Sequence, residues 1–92
     1  MSLLLSWKRK ALSDRQKIMK FIAKDNPVAA ANLDLQIEEK AEKAAQSPML
    51  YLPGRVEGTR EAVVTVNYLI VYRVTETHVE VLRVLHTKMM WP

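Results

Sequence analysis

The sequence predicts a two-layer α+β fold in which an N-terminal strand and an antiparallel two-helix hairpin precede an antiparallel β-meander. Two changes of pattern favour this order, β-α-α-β-β-β. Between residues 9 and 46, apolar residues recur at spacings of three and four, the period of an amphipathic helix. From residue 61 the period falls to two, and Val, Ile, Tyr and Thr become frequent, as in half-buried strands. Residues 1–92 are expected to form one domain, because chains this short rarely divide into two cores.

The N-terminal segment predicts a strand followed by a basic helix. The short apolar run from Leu3 to Trp7 is interpreted as the strand. Helical periodicity begins near Arg9, and the predicted apolar stripe holds Ala11, Arg15, Ile18 and Ile22, widened by Leu12, Met19 and Phe21. A second face carries a lysine every seven residues, which we interpret as a solvated surface: Lys10, Lys17 and Lys24.

Asp25, Asn26 and Pro27 mark the boundary between the two predicted helices. Asn is a favoured N-cap and Pro is favoured at the first helical position, so the second helix is expected to begin here. It is expected to end near Gln46, because Ser47 precedes a proline. Small residues on its inner stripe allow close approach, which favours a helix hairpin; this stripe comprises Ala30, Leu33, Ile37, Ala41 and Ala44.

The C-terminal half predicts a loop and then three strands. Residues 49–59 hold both glycines of the chain and are interpreted as the connecting loop. Strands are predicted at 61–66, 68–74 and 78–86, separated by breaks short enough for hairpins. Alternation places Tyr68, Ile70, Tyr72 and Val74 on one face of the second strand. In the third strand the same rule groups Val79, Val81, Arg83 and Leu85.

Composition and charge exclude several classes of protein. The absence of cysteine excludes disulfides, thiolate nucleophiles and cysteine-based metal sites. The N-terminal apolar run is far shorter than the ~20 residues that span a bilayer, and basic residues follow it instead of preceding it. We therefore expect a cytoplasmic protein with no membrane partner. The net charge of +4 favours a polyanionic partner. Residues 1–24 concentrate the positive charge, since seven basic residues there oppose only Asp14, and an uneven charge distribution of this kind suits electrostatic steering.

No cofactor and no metal site is predicted. Gly54 and Gly58 are the only glycines, so a glycine-rich phosphate loop is absent. His78 and His86 lie eight residues apart on one predicted strand, roughly 26 Å, which is too far to share a metal ion.

Basic and aromatic residues are concentrated around the meander. Arginine on a sheet face among tyrosines suits phosphate binding or stacking on a base. The same residues also fit a plain solvent face, with His86 as a structural edge histidine and Trp91 covering the sheet, and the sequence leaves both readings open. The concentration comprises Arg55, Arg60, Arg73, Arg83, His86, Lys88 and Trp91.

Several motifs together resemble the RelE/ParE superfamily of bacterial toxins. The run LSWKRKAL…IMKFIAKDNPVAAANL is similar to its opening strand and helix hairpin. The loop, meander and tail are similar in Gly58-Thr59-Arg60-Glu61, Asn67-Tyr68, Tyr72-Arg73-Val74, Leu82-Arg83-Val84, and His86 followed by Trp91-Pro92. The resemblance implies a toxin of a type II toxin–antitoxin module, held inactive in a hetero-oligomer by a small, partly disordered antitoxin.

The resemblance leaves two activities open. ParE-like toxins inhibit DNA gyrase, and the Gly-Thr-Arg-Glu loop and the His…Trp-Pro tail look closer to that branch, so gyrase inhibition is the favoured expectation. RelE-like toxins are metal-independent endoribonucleases that cleave mRNA on the ribosome, and Arg60 and Lys88 match two basic catalytic positions of that branch. In either case the residues expected to contact the target are Arg60, Arg83, His86, Lys88 and Trp91.

Overall fold

A computed structural model describes residues 2–92, and it confirms the predicted α+β order with one added strand. The added strand, β2, has two residues and lies in the segment predicted to be a loop. The other boundaries agree with the predicted ones to within a few residues. The elements are β1 (Leu4–Trp7), α1 (Arg9–Ala23), α2 (Pro27–Gln46), β2 (Leu52–Pro53), β3 (Arg60–Val63), β4 (Tyr68–Val74) and β5 (His78–His86).

All five strands belong to one sheet in the order β1-β5-β4-β3-β2. Strands β2 to β5 pair antiparallel, as the meander prediction requires. β1 pairs parallel to β5. A parallel pair needs a long connection, and the helix hairpin together with the first strands of the meander supplies it. β5 therefore lies inside the sheet along its first half.

The helix hairpin covers one face of the sheet. Asn26 caps α2, since its side-chain oxygen accepts a hydrogen bond from the Ala29 N–H at 3.0 Å, and Pro27 occupies the first helical position. The predicted inner stripe of α2 is confirmed: Ala30, Leu33, Ile37, Ala41 and Ala44 are all buried. In α1, by contrast, the predicted widening of the apolar stripe is wrong for Leu12 and Phe21, which are 46% and 71% exposed.

The sheet is apolar on both faces. On the helix side, Ile70 and Tyr72 of β4 are fully buried, and the Tyr72 hydroxyl donates to the Pro48 carbonyl at 2.8 Å. Burial raises the pKa of Tyr72 above its usual value, against the opposing charge of Arg60. A second, smaller cluster lies on the other face and comprises Leu69, Val71 and Leu85, with Trp91 packed against them.

A bulge in β5 changes which residues face the helices. Val71 pairs with Arg83 and Tyr72 pairs with Val81, which leaves Leu82 as an extra residue. Side-chain alternation is therefore interrupted at Leu82. The prediction that one face runs through Val79, Val81, Arg83 and Leu85 is wrong: Val79, Val81 and Val84 join the helix-side core, and Leu85 joins the second cluster.

Candidate functional site

The second half of β5 has no strand partner on one side, and α1 covers this edge. β1 pairs with β5 only as far as Val81, whose carbonyl accepts a last hydrogen bond from the Lys8 N–H at 2.9 Å. Beyond that point, Asp14 of α1 takes the place of a strand partner. Its carboxylate accepts a hydrogen bond from the Val84 N–H at 3.0 Å, so this buried backbone donor is satisfied by a side chain.

Asp14 also forms an ion pair with Arg83. The Arg83 guanidinium donates to both carboxylate oxygens, at 2.7 and 3.2 Å, and the two side chains are only 16% and 13% exposed. The guanidinium carbon lies 5.3 Å from the centre of the Trp91 ring, within cation–π range. Arg83 therefore joins α1, β5 and the C-terminal tail, and its charge is balanced inside the protein.

A groove of about 260 Å³ opens beside this ion pair, between α1 and the end of β5. Tyr68 and His86 line it as an edge-to-face pair, with ring centres 5.3 Å apart. His86 Nδ1 accepts a hydrogen bond from the Lys88 N–H at 3.1 Å, so in the neutral ring the proton is on Nε2. From α1, Lys17 and Phe21 reach the same groove. The groove thus combines aromatic rings with two hydrogen-bond donors, the Lys17 ammonium and the His86 ring.

The C-terminal tail turns back from His86 across the face opposite the helices. The Thr87 N–H donates to the Asn67 carbonyl at 2.8 Å, and Trp91 packs on the second cluster. Lys88 is exposed and lines a cleft with Trp91. The Trp91 Nε1–H is buried and has no hydrogen-bond partner within residues 2–92. Its position is therefore determined by packing and by the neighbouring guanidinium.

The tail is also held by a clasp in the loop before β3. Arg55 binds Glu61 through its backbone N–H at 2.9 Å and its guanidinium at 3.1 Å, and it donates to the Met89 carbonyl at 3.5 Å. Burial raises the pKa of Glu61, but the hydrogen bonds and charge of Arg55 outweigh it, so this pKa lies below the ordinary 4.5. The carboxylate form is therefore the one that the fold favours.

This lowered pKa predicts a pH-dependent clasp. A carboxyl whose folded-state pKa is depressed contributes stability fully above its unfolded pKa, and the contribution is lost as the pH falls through the folded value. We expect Glu61→Gln to cost up to about 1 kcal/mol at neutral pH, since Arg55 is partly exposed. The difference should shrink below about pH 4.5 in urea-unfolding curves of both proteins. Glu57→Gln, in the same loop, is the matched control, and an equal loss there would refute the clasp.

Arg60 is separated from the other predicted site residues. It pairs with Tyr72, and its guanidinium donates to the Tyr51 carbonyl at 2.7 Å. Directly paired residues of antiparallel strands project to the same face, so Arg60 lies on the helix side, while Trp91 packs on the other face. Along β4, Tyr72 is four residues, roughly 13 Å, from Tyr68 and the groove.

The five predicted residues therefore occupy different places. Arg83 and His86 border the groove, Lys88 and Trp91 lie in the tail, and Arg60 is remote from both. Sequence reasoning did not identify Asp14 as a site residue, and it named Arg55 only as one of the basic residues around the meander; both hold the site together. A signal for Asp14 was available, because it is the one acid among seven basic residues in positions 1–24.

Within residues 2–92, no group of three or more histidine or acidic side chains is placed to hold a metal ion. Across the same residues, neither helix is long and apolar enough to span a bilayer.

Comparison with known proteins gives a family match over nearly the whole chain. The sequence model described as "ParE toxin of type II toxin-antitoxin system, parDE" matches residues 5–91. The chain is also similar to a protein of Sinorhizobium fredii (strain NBRC 101917 / NGR234) named "Putative toxin Y4kP". The two are 36% identical over 89 residues, which covers 96% of this chain and 92% of that protein.

Solved structures with the same fold include two from toxin–antitoxin systems. A chain from the chromosomal ParDE system of P. aeruginosa superposes with a TM-score of 0.80 at 21% identity, covering 94% of this chain and 97% of that one. A chain of the RelBE2 toxin–antitoxin complex of Mycobacterium tuberculosis gives 0.65 at 24% identity, covering 94% and 99%. At 21% and 24% identity, the similarity to these two structures shows a shared fold.

Proposed function

The chain belongs to the ParE family of toxins from type II toxin–antitoxin systems, and we propose that it arrests bacterial growth by inhibiting DNA gyrase in the cytoplasm. The observation that carries the proposal is the ParE match over residues 5–91. In the proposed mechanism the toxin acts by binding. The tail and the groove beside Arg83 form the contact surface, which includes His86, Lys88 and Trp91.

The placement of the basic residues favours binding over mRNA cleavage. A metal-independent nuclease needs a base, an acid and a cation gathered around one phosphate. Arg60 and Lys88, the two residues that match the RelE-like catalytic positions, lie on different sides of the sheet. Two other arginines near the tail already have their charges paired, Arg83 with Asp14 and Arg55 with Glu61. Arg60 therefore does not share a centre with Lys88, as the RelE-like pattern of catalytic residues would require.

We also propose that a cognate antitoxin binds this chain and neutralises it in a hetero-oligomer. Large apolar side chains are exposed on both helices of the hairpin. They are Leu12, Phe21, Val28 and Leu35, between 46% and 71% exposed. An antitoxin that covers them would bury apolar area that is costly to leave in water.

The proposal is tested by inducing the chain in a bacterium, alone and together with its antitoxin, while following DNA damage and mRNA integrity. A gyrase inhibitor should activate a DNA-damage reporter early and leave mRNA uncut, and the antitoxin should prevent both the reporter signal and the arrest. Growth arrest with cuts at codon positions and a silent reporter would overturn the proposal.

A further inference from the structure

One surface of α1 carries three lysines that form no ion pair within residues 2–92. Lys10, Asp14, Lys17, Phe21 and Lys24 follow one another at spacings of four, three, four and three residues, so they lie on one stripe. At 1.5 Å per residue this stripe is about 21 Å long. Asp14 is its only acid, and Arg83 already balances that charge. The stripe is therefore a line of positive charge at the side of the helix.

Five other basic residues of the chain are paired with acids within the fold. The ion pairs found in residues 2–92 engage Lys8, Arg15, Arg55, Arg73 and Arg83. None of them involves the three lysines of the stripe. Among the described residues, the acids of α2 form no ion pair with these lysines, and Asp34 and Glu38 bind Arg15 instead. The charge of the stripe is left for a partner outside the chain.

Aromatic rings lie directly beside the lysines. Phe21 is 71% exposed and borders the 260 Å³ groove, together with Tyr68, His86 and Lys17. The proton on His86 Nε2 gives the groove a hydrogen-bond donor as well. A positively charged track next to ring faces is the combination that binds single-stranded nucleic acid, because phosphates follow the charges and bases stack on the rings.

We propose that the lysine stripe and the aromatic groove together bind a single-stranded polynucleotide. Phosphates lie along Lys17 and Lys24, and a base stacks on Phe21 at the groove mouth. A peptide that adds a strand to the edge of β5 fits less well, because the Val84 N–H there is already bound to Asp14. The inference goes beyond gyrase inhibition, since the surface would bind the polynucleotide without any enzyme present.

The test measures direct binding of the full chain, freed of antitoxin, to fluorescent oligothymidylate and oligouridylate. Comparing the two affinities shows whether the surface binds single-stranded DNA, single-stranded RNA or both. Binding should weaken steeply between about 50 and 200 mM salt, with a log–log slope near −2 for three phosphate contacts. Lys17→Gln/Lys24→Gln should weaken binding about 10-fold and flatten the slope. Phe21→Ala should weaken it about 5-fold, through lost stacking.

The matched control is Lys40→Gln/Lys43→Gln, which removes the same net charge from α2. If the stripe binds the strand, this control should change binding less than about 2-fold. An attraction that depended only on net charge would instead weaken equally in both double variants. Circular dichroism confirms that each variant is folded. Because no gyrase is present, the result is independent of the function proposed above.

Three outcomes would overturn the inference. The first is no oligonucleotide binding at low salt. The second is an equal loss in both double variants, which would reduce the effect to net charge. The third is that polyglutamate binds as tightly as the oligonucleotides and depends equally on Lys17 and Lys24, which would make the stripe a docking surface for an acidic protein.

Discussion

Replacing Asp14 with alanine is expected to lower the free energy of unfolding by about 3 kcal/mol. The carboxylate binds both the Arg83 guanidinium and the Val84 N–H, and the ion pair is mostly shielded from water. Its removal leaves a charge and a backbone donor unpaired, and each of these is costly in a buried position. For a domain of this size the melting temperature should fall by roughly 12–20 °C, which thermal unfolding followed by circular dichroism would measure.

Two further variants separate this effect from ordinary charge loss. Asp34→Ala removes an acid from a more exposed pair, in which Arg15 retains Glu38 as a partner, and should cost less than about 1 kcal/mol. Asp14→Asn keeps an oxygen for the Val84 N–H and should be intermediate. If Asp14→Ala were no more harmful than Asp34→Ala, Asp14 would not be the link between α1 and β5.

Replacing Trp91 with alanine is expected to raise the toxin concentration needed for half-inhibition of gyrase by about 30-fold. The ring packs on Leu69, Val71 and Leu85 and lies over Arg83, so it positions the tail as well as presenting a surface. The same change should cost about 2 kcal/mol of stability, less than for a fully buried tryptophan. Supercoiling should therefore be assayed at a temperature where unfolding curves show both proteins folded.

Trp91→Phe is the control for this variant. The Trp91 Nε1–H has no hydrogen-bond partner among residues 2–92, so phenylalanine removes a donor that the fold leaves unpaired. Stability should stay within about 1 kcal/mol of the parent. Retained inhibition would assign the role of Trp91 to ring packing. An inhibition constant unchanged in Trp91→Ala would exclude the tail from the contact.

The order of elements follows closely from the sequence, because hydrophobic period and turn chemistry are local signals. The Asn26-Pro27 boundary and the alanine stripe of α2 are examples. Two features of the sheet depend on tertiary pairing instead. β2 is a strand only because Leu52 and Pro53 pair with β3, and the bulge at Leu82 depends on the register with β4. Neither has a signature within its own few residues.

The site was less predictable than the fold. Residue type and the family resemblance together pointed to Arg83, His86, Lys88 and Trp91, which do lie near one end of β5. They could not separate Arg60 from them, because the face on which a strand residue lies depends on pairing across the sheet. Nor could they show that Arg83 is neutralised, since Asp14 lies 69 residues away in the chain.

Gyrase inhibition is tested most directly by titrating purified gyrase with this toxin and following the supercoiling of relaxed plasmid. A parallel translation reaction contains the same toxin and an mRNA whose ends are mapped. We predict that supercoiling stops at micromolar toxin, that added antitoxin restores it, and that the mRNA stays intact. Unchanged supercoiling at that concentration, with mRNA cut at codon positions, would show that the toxin is an mRNA endonuclease and not a gyrase inhibitor.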